Sequence, residues 1–292
     1  MTVLVTGATG TVGSRVVAAL AAADDPVRAA ARDAARARES LDADSAVTFD
    51  FEKPETWGDA LDAIDRLFLV RPPQLSRVGA ITDFVDAAER VGVDHVVVLS
   101  VLGAGKNPLL PHRRIERHVE GTGLEWTFVR ASFFMQNFLE EHREEVRDGV
   151  LFVPAGDGTT SFVDARDVAA VAAAALTEPD HGGRAYDVTG PEALTYDEVA
   201  AVFSDVLDRP VTYANPSLPR FAWETYRRGT SLGKTLMMSG IYTTARFGLA
   251  GRVADDVRTV LGRDPIDFRT FVDDHASDFA VERSPTRLRP RN

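Results

Sequence analysis

The most constraining stretch of this chain is Gly7-Ala8-Thr9-Gly10-Thr11-Val12-Gly13, which directly follows the apolar run Val3-Leu4-Val5-Thr6. Its glycines are spaced G-x-x-G-x-x-G. A strand that turns through such a loop into a helix uses glycine for the tight turn, for close backbone approach of a pyrophosphate, and for close helix–strand packing. The N–H groups and positive dipole end of the following helix favour an anion. A glycine triplet alone is a weak signal and also fits a purely structural turn. Its place between strand and helix, at the head of a series of such units, points to a dinucleotide.

That series is legible downstream. Short β-rich runs fall at 3–6, 27–31, 47–50, 66–70, 95–100 and 126–129, and helical patterns at 11–23, 54–63, 75–91 and 111–121. Alternating strands and helices imply βαβ units around a parallel sheet covered on both faces. The continuous apolar run Val96-Val97-Val98-Leu99 suits a strand buried on both sides. The expected fold is therefore α/β, a doubly wound parallel sheet with a smaller, mostly helical C-terminal part for the substrate. The chain divides on this reading into a nucleotide-binding domain, 1–150, and a part at 151–292 that first returns to the sheet and then becomes helical. Asp164 or Asp167 is expected to cap an alanine-rich helix at 168–176, and the two also present a pair of carboxylates. Thr195 and Glu198 read as a capping box for a helix ending near 208, residues 216–282 read as helical with breaks at Gly229, Gly240, Gly248 and Pro265, and the basic tail 283–292 is expected to fray.

Charge narrows the function. The net charge is −11, so sequence-independent nucleic-acid binding is disfavoured. Three lysines stand against thirty arginines, and 28 Asp against 16 Glu, a balance expected of a salt-adapted chain. No apolar run approaches the roughly 18 residues of a membrane span, and the N-terminus has no basic region of a signal peptide, so a cytoplasmic location is expected. The absence of cysteine excludes disulfides, thiolate metal sites and cysteine nucleophiles.

The second strand ends Ala30-Ala31-Arg32-Asp33, with Arg32 nineteen residues after Gly13. An arginine there accommodates a 2′-phosphate, whereas an acid holds the ribose hydroxyl. Arg32 thus predicts NADPH, and Asp33 is the alternative that would accept NADH. Asp50 is placed either to reach the adenine amino group or to cap the helix near Pro54. Val70-Arg71-Pro72-Pro73 leaves the carboxyl end of the fourth strand, where ligands bind in such sheets. Ser100 follows the fifth strand, where dehydrogenases with a Tyr-x-x-x-Lys acid–base pair keep a serine for the substrate oxygen. The pair itself is missing, because none of the five tyrosines has a lysine four residues on. His112 and Glu116 share a helix face, so His112 either donates a proton near neutral pH or belongs to a surface helix laced with ion pairs. No metal site is expected, since His112, Glu116 and His118 lack a ligand spacing.

Gly7–Gly13, Val97-Val98-Leu99-Ser100, Ile115-Glu116, the run from Gly123 to Arg130, Phe134-Met135-Gln136-Asn137-Phe138, Phe162-Val163-Asp164-Ala165-Arg166-Asp167 and Thr189-Gly190-Pro191 together resemble the NmrA-like family, an atypical branch of the short-chain dehydrogenases. The resemblance implies that Gly7, Thr9, Gly10, Thr11, Val12 and Gly13 form the pyrophosphate loop and that Arg32 meets a 2′-phosphate. It places Asp50 and Phe51 at the adenine and Val70 with Arg71 beside the nicotinamide ribose. His112 falls where relatives carry the active lysine. Ser100 and Arg130 lie beside the nicotinamide, and Phe133, Phe134 and Asn137, with Met135 and Phe138, face a flat acceptor or else pack a core. The family includes reductases and redox-sensing regulators. The expected function is an NADPH-dependent reductase passing hydride to a quinone-like or azo acceptor, a small-molecule partner. The alternative is a non-catalytic NADP(H) sensor acting through a protein partner. A nucleotide-sugar epimerase is a third reading, and it needs the tyrosine this chain lacks.

Overall fold

The structure, a computed structural model, describes residues 1–72 and 77–280. The predicted helix start at Leu75, Pro73 of the fourth-strand loop and the tail from Arg283 lie outside the described residues.

The chain forms two compact units. The first comprises Met1–Phe134, Phe162–Glu192 and Val253–Ile266. Its elements are β1 (Val3–Thr6), α1 (Gly13–Ala22), β2 (Val27–Ala31), α2 (Ala34–Ser40), β3 (Ser45–Thr48), α3 (Trp57–Leu61), β4 (Arg66–Val70), α4 (Val78–Arg90), β5 (His95–Val101), α5 (Pro111–Val119), β6 (Glu125–Ala131) and β7 (Phe133–Phe134). After an excursion the chain returns as β9 (Phe162–Val163), α8 (Ala165–Thr177) and β10 (Arg184–Val188), and later as α12 (Asp256–Leu261). The second unit holds α6 (Asn137–Glu140), α7 (Arg143–Arg147), β8 (Val150–Leu151), α9 (Tyr196–Val206), β11 (Thr212–Tyr213), α10 (Leu218–Arg227), α11 (Leu232–Arg246) and α13 (Phe268–Asp274). A single boundary at 150/151 would leave residues 135–150 with the sheet, whereas they group with the second unit.

Seven parallel strands in the order β10-β6-β5-β4-β1-β2-β3 make the central sheet. The order reverses between β1 and β4, which is where a doubly wound sheet opens its ligand crevice. Alternation along the strands feeds two cores. Leu4, Leu67, Leu69, Val96, Val98 and Phe128 pack with α3, α4 and α5 on one face. Val3, Val5, Phe68, Val97 and Val129 pack with α1, α8 and α12 on the other. Strand β10 is the member that local pattern did not identify. Its Arg184, Ala185 and Asp187 interrupt the apolar run, but Val188 is fully buried on Ala131 of β6. Strand β3 begins and ends two residues earlier than predicted, because Asp50 folds into a turn whose carboxylate accepts the Glu52 N–H at 2.9 Å.

Both predicted caps are present. Asp164 caps α8 by accepting the Arg166 N–H, and Thr195 with Glu198 closes a capping box on α9. Asp167 does not pair with Asp164 as a catalytic dyad. It accepts the Ile266 N–H at 2.7 Å and meets Arg263 at 2.7 Å, tying α8 to the segment after α12.

His95 is buried at the start of β5, 2.9 Å from the Thr127 hydroxyl. That hydroxyl donates its proton to the His181 carbonyl, so His95 Nε2 must be the donor to Thr127. Burial, helped by Arg66 and His181 and opposed by Glu125, pulls the His95 pKa from 6.5 to about 4. The unfolded chain therefore takes up the proton first. This contribution to stability is complete above pH 6.5 and is lost as the pH falls toward 4. Urea unfolding at pH 7 and pH 4.5 should show a lower midpoint at the acid pH, and His95→Gln should reduce the difference. An identical pH response in the variant would assign the loss elsewhere.

Candidate functional site

The glycine loop places its backbone at the carboxyl end of β1. Gly7 takes a left-handed φ of +61°, which glycine adopts without strain. The Gly10 N–H then donates to the Gly7 carbonyl at 2.9 Å, and Ser14 N–H to Gly10 at 3.0 Å. A Cβ on Gly13 would lie 2.2 Å from the Gly7 oxygen, so no other residue fits that crossing. Helix α1 starts at this point with no side-chain cap and no acidic residue in its first turn. Gly7, Thr9 and Gly10 are exposed, Thr11 is half-buried, and Val12 packs its side chain into the core, leaving only its backbone to meet a ligand. Thr6 braces the turn: its hydroxyl donates to the Phe68 carbonyl at 3.0 Å and accepts the Val70 N–H at 2.9 Å. This cradle, open on its outer side and closed to any Cβ within, fits a pyrophosphate.

Arg32 and Asp33 part company in the structure. Asp33 caps α2, accepting the Arg36 N–H at 3.0 Å. The Arg32 side chain is exposed and makes no hydrogen bond or ion pair among the described residues. The Phe51 ring lies in an aromatic cluster. It is 4% exposed, with ring centroids 4.8 Å from Phe49 and 5.5 Å from Phe84, so only its backbone is available at that edge. Asp50 keeps one carboxylate oxygen on Glu52 and accepts the Trp57 indole N–H on its carbonyl at 3.1 Å.

At the carboxyl ends of β5 and β6 the expected Ser100 and Arg130 serve a different partner. Glu116, fully buried on α5, accepts the Ser100 hydroxyl at 2.7 Å. Arg130 grips it with Nε at 2.9 Å and Nη2 at 3.0 Å, and Arg113 adds a second cation at 3.1 Å. Burial raises the Glu116 carboxyl, but hydrogen bonds from Arg130, Ser100 and Arg113 outweigh it and hold the pKa below the ordinary value. The Ser100 hydroxyl proton is thereby directed at Glu116, and Arg130 Nε and Nη2 are engaged by the same carboxylate. The sequence could show the His112–Glu116 spacing, but not that two strands would aim donors at Glu116.

His112 is half-buried one turn upstream of Glu116. Burial and the charge of Arg71, against the pull of Glu116, bring its pKa from 6.5 to about 4. This favours the neutral imidazole at pH 7, which keeps one N–H as a hydrogen-bond donor. Arg71 is half-buried just beyond β4, where burial lowers its own pKa, and Val70 covers Gly7 at 3.4 Å from its built Cβ position. His118 turns away to Asp86 at 2.6 Å, and no cluster of three or more metal-ligating side chains occurs among the described residues.

The remaining predicted residues fall in different units. Half-buried Phe133 and Phe134 form β7 beside β9 in the first unit, with Phe133 edge-on to Phe162 at 5.8 Å. Asn137, half-buried, opens α6 in the second unit, where Met135 and Phe138 are core residues: Phe138 packs against Phe268 at 5.2 Å and Phe203 at 5.5 Å.

A parallel seven-stranded sheet with a glycine cradle at its switch point defines a Rossmann-type nucleotide-binding protein. The profile of the NmrA-like family matches residues 1–222, and the chain belongs to that family. It is 38% identical over 285 residues to a NAD(P)H azoreductase of Xenophilus azovorans, covering 96% of this chain and 99% of that protein. Its fold matches the NADPH complex of an NADPH-dependent quinone oxidoreductase of Escherichia coli (TM-score 0.85, 25% identity, 94% of this chain and 99% of that one). It also matches a Citrobacter sp. triphenylmethane reductase complexed with NADP(H) (TM-score 0.83, 24% identity, 94% and 99%).

Two substitutions separate the two halves of this site. Gly13→Ala should weaken NADPH binding at least about tenfold, measured by cofactor fluorescence, because the methyl group must push the loop open. Glu116→Ala should leave NADPH contacts in place but cost about 3 kcal/mol in chemical denaturation, since it strands the Arg130 charge.

Proposed function

We propose that the chain is an NAD(P)H-dependent reductase that prefers NADPH and passes hydride to a quinone-like or azo acceptor without a tyrosine acid. The observation that carries this reading is the glycine cradle, whose close backbone crossing and uncapped helix start suit a pyrophosphate, beside an exposed Arg32 and an Asp33 engaged in capping α2. The 38% identity to a NAD(P)H azoreductase over nearly the whole chain supports the same chemistry.

Bound NADPH supplies the hydride and carries the hard part of the reaction. The loop from Gly7 to Gly13, including Thr9, Thr11 and Val12, offers backbone N–H groups to the pyrophosphate. Arg32 offers its planar guanidinium to the 2′-phosphate, which Asp33, turned to Arg36, does not contest. Asp50 retains a carboxylate oxygen for the adenine amino group, and the Phe51 backbone lies at the same edge. Val70 and Arg71 flank the nicotinamide ribose. Phe133, Phe134 and Asn137 are the candidate contacts for the acceptor.

Acid–base work is small in this scheme. None of the five tyrosines has a lysine four residues on, so the chain carries no Tyr-x-x-x-Lys acid–base pair. An acceptor that must be protonated by the protein as it takes hydride is therefore poorly served. A quinone or azo group takes hydride at one atom and a proton from water at another, giving the hydroquinone or hydrazo product. His112, neutral at pH 7, assists as a hydrogen-bond donor that orients the acceptor oxygen or nitrogen, as a neutral imidazole can.

The test is NADPH consumption by the purified protein against benzoquinones, naphthoquinones and azo dyes, with NADH in parallel. Turnover above the uncatalysed background is expected with NADPH. Arg32→Ala should raise the NADPH dissociation constant about tenfold and leave NADH nearly unchanged, equivalent to roughly 1.4 kcal/mol of lost phosphate recognition. Tight NADPH binding with no turnover on any acceptor would instead favour the sensor.

A further inference from the structure

The second unit carries a surface that reduction does not explain. Helix α11 buries Thr235, Tyr242 and Ala245 and is anchored on that side through Tyr242, whose hydroxyl meets His142 Nε2 at 2.5 Å, with Glu145 on the other imidazole nitrogen at 3.0 Å. Its opposite side is apolar. Leu232, Leu236, Met237 and Ile241 are 61%, 62%, 51% and 39% exposed, and the patch runs past the helix end into Phe247 and Leu249 at 72% and 73%. Both charges of α11 are drawn away from it: Lys234 pairs with Glu141 at 2.7 Å, and Arg246 lies over Gly156 and donates to the Pro154 carbonyl at 3.3 Å. Gly233 and Gly240, two turns apart, lie on the same exposed side, and a Cβ at either would meet nothing within 4 Å. Among the described residues no packing requires these two helix-weakening residues.

We propose that this face is a self-association surface, where α11 of one copy packs against α11 of a second copy about a two-fold axis. The area fits. At about 200 Å² for a fully exposed residue of this size, the six apolar residues offer about 700 Å². A standard interface buries about 800 Å² per partner, whereas the largest apolar patch on a typical monomer is about 300–600 Å². Charge selects the place. Two copies, each at net −11, repel one another over most of their surface, and the outward side of α11 brings no charge to the contact. The glycine pair lets the two backbones approach closely at the centre of an isologous contact, where each residue meets its own copy. Higher salt should tighten the association, because it screens the repulsion and leaves apolar burial intact.

Sedimentation equilibrium of the full chain over a range of micromolar concentrations tests this. The wild type should show twice the chain mass of 31.7 kDa, more completely at high salt. Leu236→Glu should sediment as a monomer with unchanged circular dichroism, since it changes an outward side chain, and its melting temperature should no longer depend on protein concentration. The chain has no cysteine, so a single introduced thiol reports its own neighbourhood. Gly240→Cys should form a disulfide-linked dimer on mild oxidation, and Arg90→Cys, exposed on α4, should not. A monomeric wild type, a dimer that survives Leu236→Glu, or equal cross-linking at both positions would overturn the proposal. A monomer in which Leu236→Glu weakens acceptor turnover would give the face to the acceptor instead.

Discussion

Gly13 crossing the Gly7 carbonyl is the contact on which the nucleotide end of the molecule rests. With a Cβ position only 2.2 Å from that oxygen, the chain can turn from β1 into α1 this tightly only with glycine there. The tightness sets the rest. It brings the uncapped start of α1 to the carboxyl end of β1, beside the point where the sheet order reverses. It also lets α1 lie against the sheet, where Val16, Val17 and Leu20 join α8 in the second core. The anion-binding geometry and the packing of that core are thus two consequences of one backbone approach.

A buried carboxylate organises the opposite side of the switch point. Glu116 joins β5, β6 and α5 through Ser100, Arg130 and Arg113, and it does so fully buried, where an unpaired charge would be prohibitive. This network occupies the residues that a tyrosine-dependent dehydrogenase would use for its substrate oxygen. The neighbouring His112 is held neutral by burial and by Arg71. On the proposed function, the protein positions two reactants at this end of the sheet and water supplies the proton.

The strands buried on both faces and the glycine loop were legible because each depends on local pattern: apolar runs such as Val96–Leu99, and glycines at fixed offsets. The caps at Asp164 and Thr195 were legible for the same reason. Strand β10 was not, because its place at the sheet edge leaves Arg184 and Ala185 exposed and dilutes the apolar signal. The partners of Ser100, Arg130 and Phe51 were not legible for a different reason. Position along a strand tells which end a side chain occupies, but not which buried partner distant in sequence will meet it. Glu116 meets the first two, and the Phe49–Phe84 aromatic cluster meets the third.

The proposed reaction is direct hydride transfer from a cradled NADPH with no titrating acid from the protein near neutral pH. It is tested most directly by single-turnover stopped flow, with the protein saturated with NADPH carrying hydrogen or deuterium at both nicotinamide C4 positions and mixed with a benzoquinone between pH 6 and 8. Acceptor-dependent oxidation is expected, slower with deuterium and flat across that range. Absence of acceptor-dependent oxidation in the saturated protein, or a rate that follows a group titrating near pH 6.5, would contradict it.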